Sequence, residues 1–473
     1  MAPRDAPPRP AAPSHSPGRS AASGRGTLAA MPGDEPTSDQ RRAGRLAKAI
    51  GPGVLFAGAA IGVSHLVQST RAGAVYGLSL IPLVLLAHGL KYPALVFGPR
   101  YAIATGRSLP EAYRDQGAHA IGLFALVLLG TMFTIMAAVT IVTASIVSAH
   151  VVDPLLSPAG LGRSPPIVVA AGLLGAGALI IALGGFGSLD KALKTLMVVM
   201  LVSTLIAAGL RTPALLGAGP AVWSAGLDPT DGAWLAFAVA LVGWMPAPLD
   251  ISSWHSLWTL ERIRQTGVTP TGAQGRADFL IGYALCIVLA VAFVALGAAL
   301  LFARDVEPER TGGAFALQLV SLYTEALGGW ARPLIVACAV AVMFSTTLTV
   351  FDGLSRTAAA TWRAATPRPP TPGGGTQRGR LYWIMGGLIV LGALLLIGRF
   401  QDRLAALVDL ATTLSFVGTP VIAWFNHRAM LSDRVTAAHR PGPRIVVWSW
   451  VGIVFWSGFA AVFLAQQALA VGG

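Results

Sequence analysis

From residue 50 onward, long apolar runs alternate with short polar segments. Each run is close to the ~20 residues that cross a bilayer as a helix. The pattern predicts eleven spans: about 50–70, 76–98, 119–149, 166–184, 190–210, 234–258, 278–302, 333–352, 381–399, 403–425 and 444–470. Two spans are interrupted, one in each half of the chain. The first breaks at Gly62-Val63-Ser64-His65 and the sixth at Met245-Pro246-Ala247-Pro248. A broken helix frees backbone N–H and C=O groups that hydrocarbon cannot satisfy. Paired breaks of this kind mark the binding site of secondary transporters built from inverted repeats.

The predicted fold is therefore an all-α polytopic membrane protein. It is a LeuT-like 5+5 inverted repeat with discontinuous helices 1 and 6 and about 11 transmembrane helices. Repeat one covers about 48–211, repeat two about 233–428, and an extra helix about 444–470, within a transmembrane domain over 46–473. The segment 314–328 is too polar and too short to span, and its apolar positions Phe315, Leu319, Leu322 and Leu327 predict an interfacial amphipathic helix. Pro- and Gly-rich 364–380 reads as a linker.

Composition agrees. Of 473 residues, 54% are hydrophobic and 12% charged, with mean hydropathy +0.66. The net charge of +13 follows the positive-inside rule, since an N-terminus inside places 25 of the 34 Lys and Arg on cytoplasmic segments. This predicts an inner-membrane protein with its N-terminus cytoplasmic and its C-terminus outside. Residues 1–45 have no apolar core and read as a disordered cytoplasmic tail, with Met31 an alternative start. No soluble basic domain supports nucleic-acid binding. Cys286 and Cys338 lie in apolar runs and read as packing residues, not as a disulfide or a metal site.

Chemistry concentrates at the breaks. Gly62 permits unwinding, and Ser64 and His65 are polar at mid-membrane depth, where polar groups mark function or satisfy freed carbonyls. Pro246 and Pro248 remove N–H donors, so the Trp244, Met245 and Ala247 backbone is freed. Met245 adds a thioether, and Asp250 a carboxylate that must be paired, protonated or ion-binding. In span eight, Ser345, Thr346 and Thr349 either complete a small-cation site with carbonyls of span one or bond back to their own helix. No nucleophile–base constellation points to an enzyme, and no cofactor is expected.

Several stretches resemble the Nramp metal transporters: Gly51-Pro52-Gly53, Ala72-Gly73-Ala74, Arg100 through Gly106, Met245-Pro246, and Ser345 through Thr349. The resemblance covers about 48–430 and implies a LeuT-like carrier of divalent metal. It is incomplete at the site. Where the family carries Asp-Pro-Gly-Asn, this chain has Gly62, Val63, Ser64 and His65, and the His of Met-Pro-His is Ala247. Two readings stand. The first is a divalent metal transporter with His65 and Met245 as ligands. The second is a transporter of a neutral amino acid or similar small organic solute, Na⁺-coupled or not, in which Gly62 and Ala247 enlarge the pocket. A non-transporting sensor is a third class, without a signalling domain to support it. The expected partners are a small solute and the lipid bilayer.

Overall fold

The computed structural model describes residues 51–160, 162–184, 186–217, 219–224, 228, 230–366, 378–400 and 402–472. The predicted tail and most of the 364–380 linker lie outside the described residues. The described chain is helical. Span one is α1 (Pro52–Ala60) followed by α2 (Ser64–Tyr76), bent by 44° at the intervening break. Then follow α3 (Ile81–Thr105), a short α4 (Leu109–Asp115), α5 (Ala118–Val147), α6 (Pro166–Ala182) and α7 (Phe186–Gly217). Span six is α8 (Gly232–Gly243) and α9 (Ile251–Thr266), separated by an extended break. The remainder is α10 (Gly272–Leu300), α11 (Gly312–Leu327), α12 (Arg332–Ala365), α13 (Arg380–Phe400), α14 (Leu404–Leu431) and α15 (Pro443–Gly472).

Among the described residues, seven helices are long and apolar enough to cross a membrane, the bent pair makes an eighth, and α6, α8 and part of α7 are shorter apolar helices. These coincide with the eleven predicted spans. The helix α11 is amphipathic as expected, burying Phe315, Leu319 and Leu322. The short α4 was not apparent in the sequence because it is too small to show periodicity. Its start is a capping box, with Ser108 and Glu111 closing on each other's backbone.

Helix pairs in membranes gain by close backbone approach, which small residues allow. Here α10 packs along both halves of span one. A Cβ on Gly53 of α1 would lie 2.1 Å from the Asp278 carbonyl oxygen, and one on Gly73 of α2 would lie 2.0 Å from that of Val294. Asp278 also accepts from the N–H groups of Gly51 (3.1 Å) and Gly53 (2.7 Å), satisfying donors at the start of α1. The glycines of the Gly51-Pro52-Gly53 motif thus serve this contact.

Candidate functional site

The two breaks meet α5 and α12 around a small central cavity. Ser64, Val63, Trp244, Pro248, Trp254 and Thr346 are among its walls. Its volume is about 20 Å³, enough for one water-sized sphere. Most of the lining is apolar, including Ile135, Val139 and Val350. The polar contributors are the Ser64 and Thr346 hydroxyls. Trp244 is held in place by its indole N–H, which donates to Ser415 Oγ on α14 at 2.8 Å.

The predicted residues separate. Ser64, Trp244 and Thr346 line the cavity, whereas Gly62, His65, Met245, Ala247 and Asp250 do not. His65 is fully buried and faces α10, with Nε2 3.0 Å from the Cys286 carbonyl oxygen. A carbonyl only accepts, so Nε2 donates to Cys286, while Nδ1 lies 2.7 Å from Ser64 Oγ and 3.0 Å from the Ala60 carbonyl oxygen, to which the Ser64 hydroxyl donates at 2.6 Å. Both ring nitrogens therefore have partners within the protein. Met245 Sδ lies 4.0 Å from Ser69 Oγ. Asp250 turns toward α5, where Thr131 Oγ1 lies 3.5 Å from Oδ2, and its Oδ1 has no hydrogen-bond partner among the described residues. The neighbouring Ser252 hydroxyl accepts from Asn426 Nδ2 at 2.8 Å, and Ser253 Oγ lies 3.4 Å from Tyr113 Oη.

The gap expected at Gly62 is filled. A Cβ there would lie 2.7 Å from Thr346 Cγ2 and 2.9 Å from its Oγ1. The Thr346 hydroxyl reaches the carbonyl oxygens of Gly58 (2.9 Å) and Ile61 (3.3 Å), which the break frees, as well as Val342 on its own helix (3.0 Å). Thr349 instead bonds back to Ser345 and Thr346 of α12, at 2.9 and 3.0 Å. Ser345 Oγ would lie 3.9 Å from a Cβ on Gly58.

The residue that sequence reasoning missed is Lys91. It is buried on α3, and its Nζ donates to the carbonyls of Val242 (2.5 Å) and Gly243 (2.8 Å), with Ala247 at 3.5 Å. Trp456 of α15 covers the ammonium, with its ring centroid 5.8 Å from Nζ. These carbonyls form the negative end of α8. The expectation had been that carbonyls of Trp244 and Met245 are the freed acceptors. The engaged ones lie two residues earlier, and the protein's own cation takes them. A lone Lys in an apolar run was the available signal.

Ion pairs bound the cavity on both sides. At one end Arg71 makes a bidentate contact with Asp409, Nη1–Oδ1 2.7 Å and Nη2–Oδ2 3.2 Å. Gln68 bridges both partners, and Arg71 lies over Phe237. Beyond this pair is a wide vestibule of about 1030 Å³. At the other end Asp352 is 9% exposed and accepts from Trp258 (3.0 Å), Arg356 (2.7 Å), Arg378 (3.1 Å) and Tyr382 (3.0 Å). A smaller pocket of about 190 Å³ adjoins it. Among the described residues no three His, Cys, Asp or Glu side chains cluster as a metal site.

No protein-family model matches the chain. A curated relative, the uncharacterized protein PM0681 of Pasteurella multocida (strain Pm70), is 32% identical over 428 residues, covering 89% of this chain and 92% of that one. Among solved structures, an Eremococcus coleocola manganese transporter in complex with an aromatic bis-isothiourea substituted compound superposes with TM-score 0.63 at 15% identity. That match covers 93% of this chain and 90% of the other. MhsT in complex with L-phenylalanine superposes with TM-score 0.58 at 13% identity, over 90% and 98% of the two chains. Mhp1, a nucleobase-cation-symport-1 family transporter with bromovinylhydantoin bound, gives TM-score 0.51 at 18% identity, over 88% of each. The shared feature is the LeuT fold, with its broken first and sixth spans.

Proposed function

We propose that this chain, which belongs to the family of the Pasteurella multocida protein PM0681 and shares the fold of solved transporters, is a secondary transporter of a small organic solute, working by alternating access. The observation that carries the choice of solute is Lys91 seated on the carbonyls of α8. A carrier of divalent metal presents freed carbonyls and soft or anionic side chains to its ion. Here a fixed ammonium occupies the carbonyls, and His65 spends both nitrogens internally.

A carboxylate-bearing solute fits the remaining chemistry. The first N–H groups of a helix have no intrahelical partner and carry the positive end of its dipole. Those of Val63 and Ser64 open α2 at the cavity wall, and the Ser64 hydroxyl is beside them. The apolar walls of Trp244, Trp254 and Ile135 suit a small apolar side chain, which makes a neutral amino acid the representative substrate. The carbonyl oxygens of Gly58 and Ile61 with Thr346 Oγ1 offer an oxygen cluster to a coupling Na⁺. The ~20 Å³ cavity must expand to hold such a solute. The LeuT-fold neighbours that hold L-phenylalanine and bromovinylhydantoin support this class of substrate. The proposed orientation has the N-terminus cytoplasmic and the Arg71 gate outside, on the distribution of Lys and Arg.

The test is uptake into proteoliposomes of a labelled neutral amino-acid panel, with Mn²⁺ and Co²⁺ in parallel. Solute uptake that falls at least tenfold in Ser64→Ala and Trp244→Ala is the expected result. Metal uptake that is lost in the His65→Ala, Met245→Ala double variant would reinstate the metal reading.

A further inference from the structure

A second cavity, of about 240 Å³, lies away from the broken spans. It sits where α3 ends and where α10 and α15 begin. Three span ends at one level place it at a membrane surface. Its charge is of one sign. Arg100, Arg276 and His439 line it, and no carboxylate does. Arg100 is fixed in the wall, because its Nε and Nη2 donate to the carbonyls of His439 (3.1 Å) and Arg440 (2.8 Å). Among the described residues no hydrogen bond or ion pair engages Arg276.

The start of α10 adds a third positive element. Gly272 and Ala273 open this 29-residue helix on the cavity wall, and because Thr271 Oγ1 caps the Gln274 N–H (3.3 Å), their two N–H groups are the ones left without an intrahelical partner. Arg276 follows Gly272 by four residues, on the same helix face. Open space lies where a Cβ on Gly272 would go. Gly275 lets the helix start sit hard against α3, since a Cβ there would lie 2.3 Å from Ile103 Cδ1. The other wall is apolar and aromatic. Val96, Ile103 and Ile445 line it, and Tyr92 stacks on Trp448 with centroids 5.1 Å apart. Aromatic rings of this kind settle at headgroup depth.

We propose that this cavity is a binding site for the headgroup phosphate of an anionic phospholipid, held by Arg100, Arg276 and the first turn of α10, with its glycerol and upper acyl chain along Tyr92 and Ile445. Guanidinium groups pair with phosphate through parallel charged hydrogen bonds. A free phosphate ion would satisfy the arginines but leave the apolar wall without a partner, which is why the lipid is the better occupant. The proposal is independent of the transported solute.

The purified full-length protein, delipidated in detergent, is examined by native mass spectrometry and thermal unfolding. Phosphatidylglycerol, phosphatidylcholine or inorganic phosphate is added in separate arms. Phosphatidylglycerol is expected to be retained and to raise the melting temperature, with phosphatidylcholine giving neither. Arg276→Gln should weaken phosphatidylglycerol retention about fivefold, the effect of one lost interfacial cation. Because Arg276 holds no partner, this variant should melt with wild type in phosphatidylcholine. Gly272→Leu fills the cavity and should weaken retention as much, whereas Arg114→Gln, beyond the end of α3, should not. Equal retention of the two lipids, or wild-type retention in both Arg276→Gln and Gly272→Leu, overturns the proposal. Equal stabilisation by inorganic phosphate alone overturns the lipid as occupant.

Discussion

Gly62 and Thr346 share one volume: the space a Cβ on Gly62 would take is occupied by Thr346 Cγ2 and Oγ1, at 2.7 and 2.9 Å. The glycine at the first break therefore serves the contact between span one and α12. Gly62→Ala should overpack this contact and lower stability by about 1–3 kcal/mol. Adding Thr346→Ala relieves the overpacking but orphans the Gly58 and Ile61 carbonyls, so the double variant should lose less than the sum of the two single losses. Thermal unfolding of the three variants in detergent checks the coupling. Additive losses would show that the two side chains do not compete for space.

Lys91 predicts a large effect from a residue outside the cavity. Lys91→Met keeps the stem but leaves the Val242 and Gly243 carbonyls buried and unpartnered. Each orphaned acceptor costs about 1–3 kcal/mol. The expected result is a strongly lowered melting temperature and loss of uptake, read on the same reconstituted sample.

The Arg71–Asp409 pair is partly exposed, so its rupture should cost about 1 kcal/mol or less. Its effect should appear in access rather than in folding. In a background with Cys286→Ala and Cys338→Ala, the variant Val63→Cys reports on the cavity wall. Arg71→Gln should raise labelling of that cysteine by an impermeant thiol reagent about fivefold, from one side of the membrane only. An unchanged labelling rate would mean that this pair does not close the route.

Asp352 predicts the opposite balance. Arg356 is 5% exposed and loses its nearest counter-charge in Asp352→Asn. Glu261 remains 4.0 Å away, so the buried cation keeps only a weaker partner, at a cost above that of losing an exposed pair. Equilibrium unfolding should therefore respond much more to Asp352→Asn than to Asp409→Asn, although both residues end a gate.

The sequence made the spans and both breaks legible, because Gly62, Pro246 and Pro248 act on their own backbone and the apolar runs report their own length. Ser64 and Trp244 were legible as residues of the breaks for the same local reason; that they share a cavity with Thr346 was not. What stayed hidden depends on partners far along the chain. Gly62 reads as an empty place until Thr346, 284 residues later, is seen to fill it. His65 reads as a ligand until the Cys286 carbonyl is found against its ring. Lys91 reads as an exception to a charge rule until the end of α8 arrives beneath it. Nothing local to Asp352 announces its burial, yet Arg378 and Tyr382 close over it from across the linker.

The contact of α10 with both halves of span one also has a mechanical side. Gly53 and Gly73 lie on opposite sides of the bend, and each presses backbone against the same 29-residue helix. A strut bolted at both ends to a hinge does not let the hinge flex freely. Any change in the 44° angle must shear one of the two glycine contacts or carry α10 along with it. A bulky residue at either glycine would then jam the hinge while leaving the cavity walls untouched.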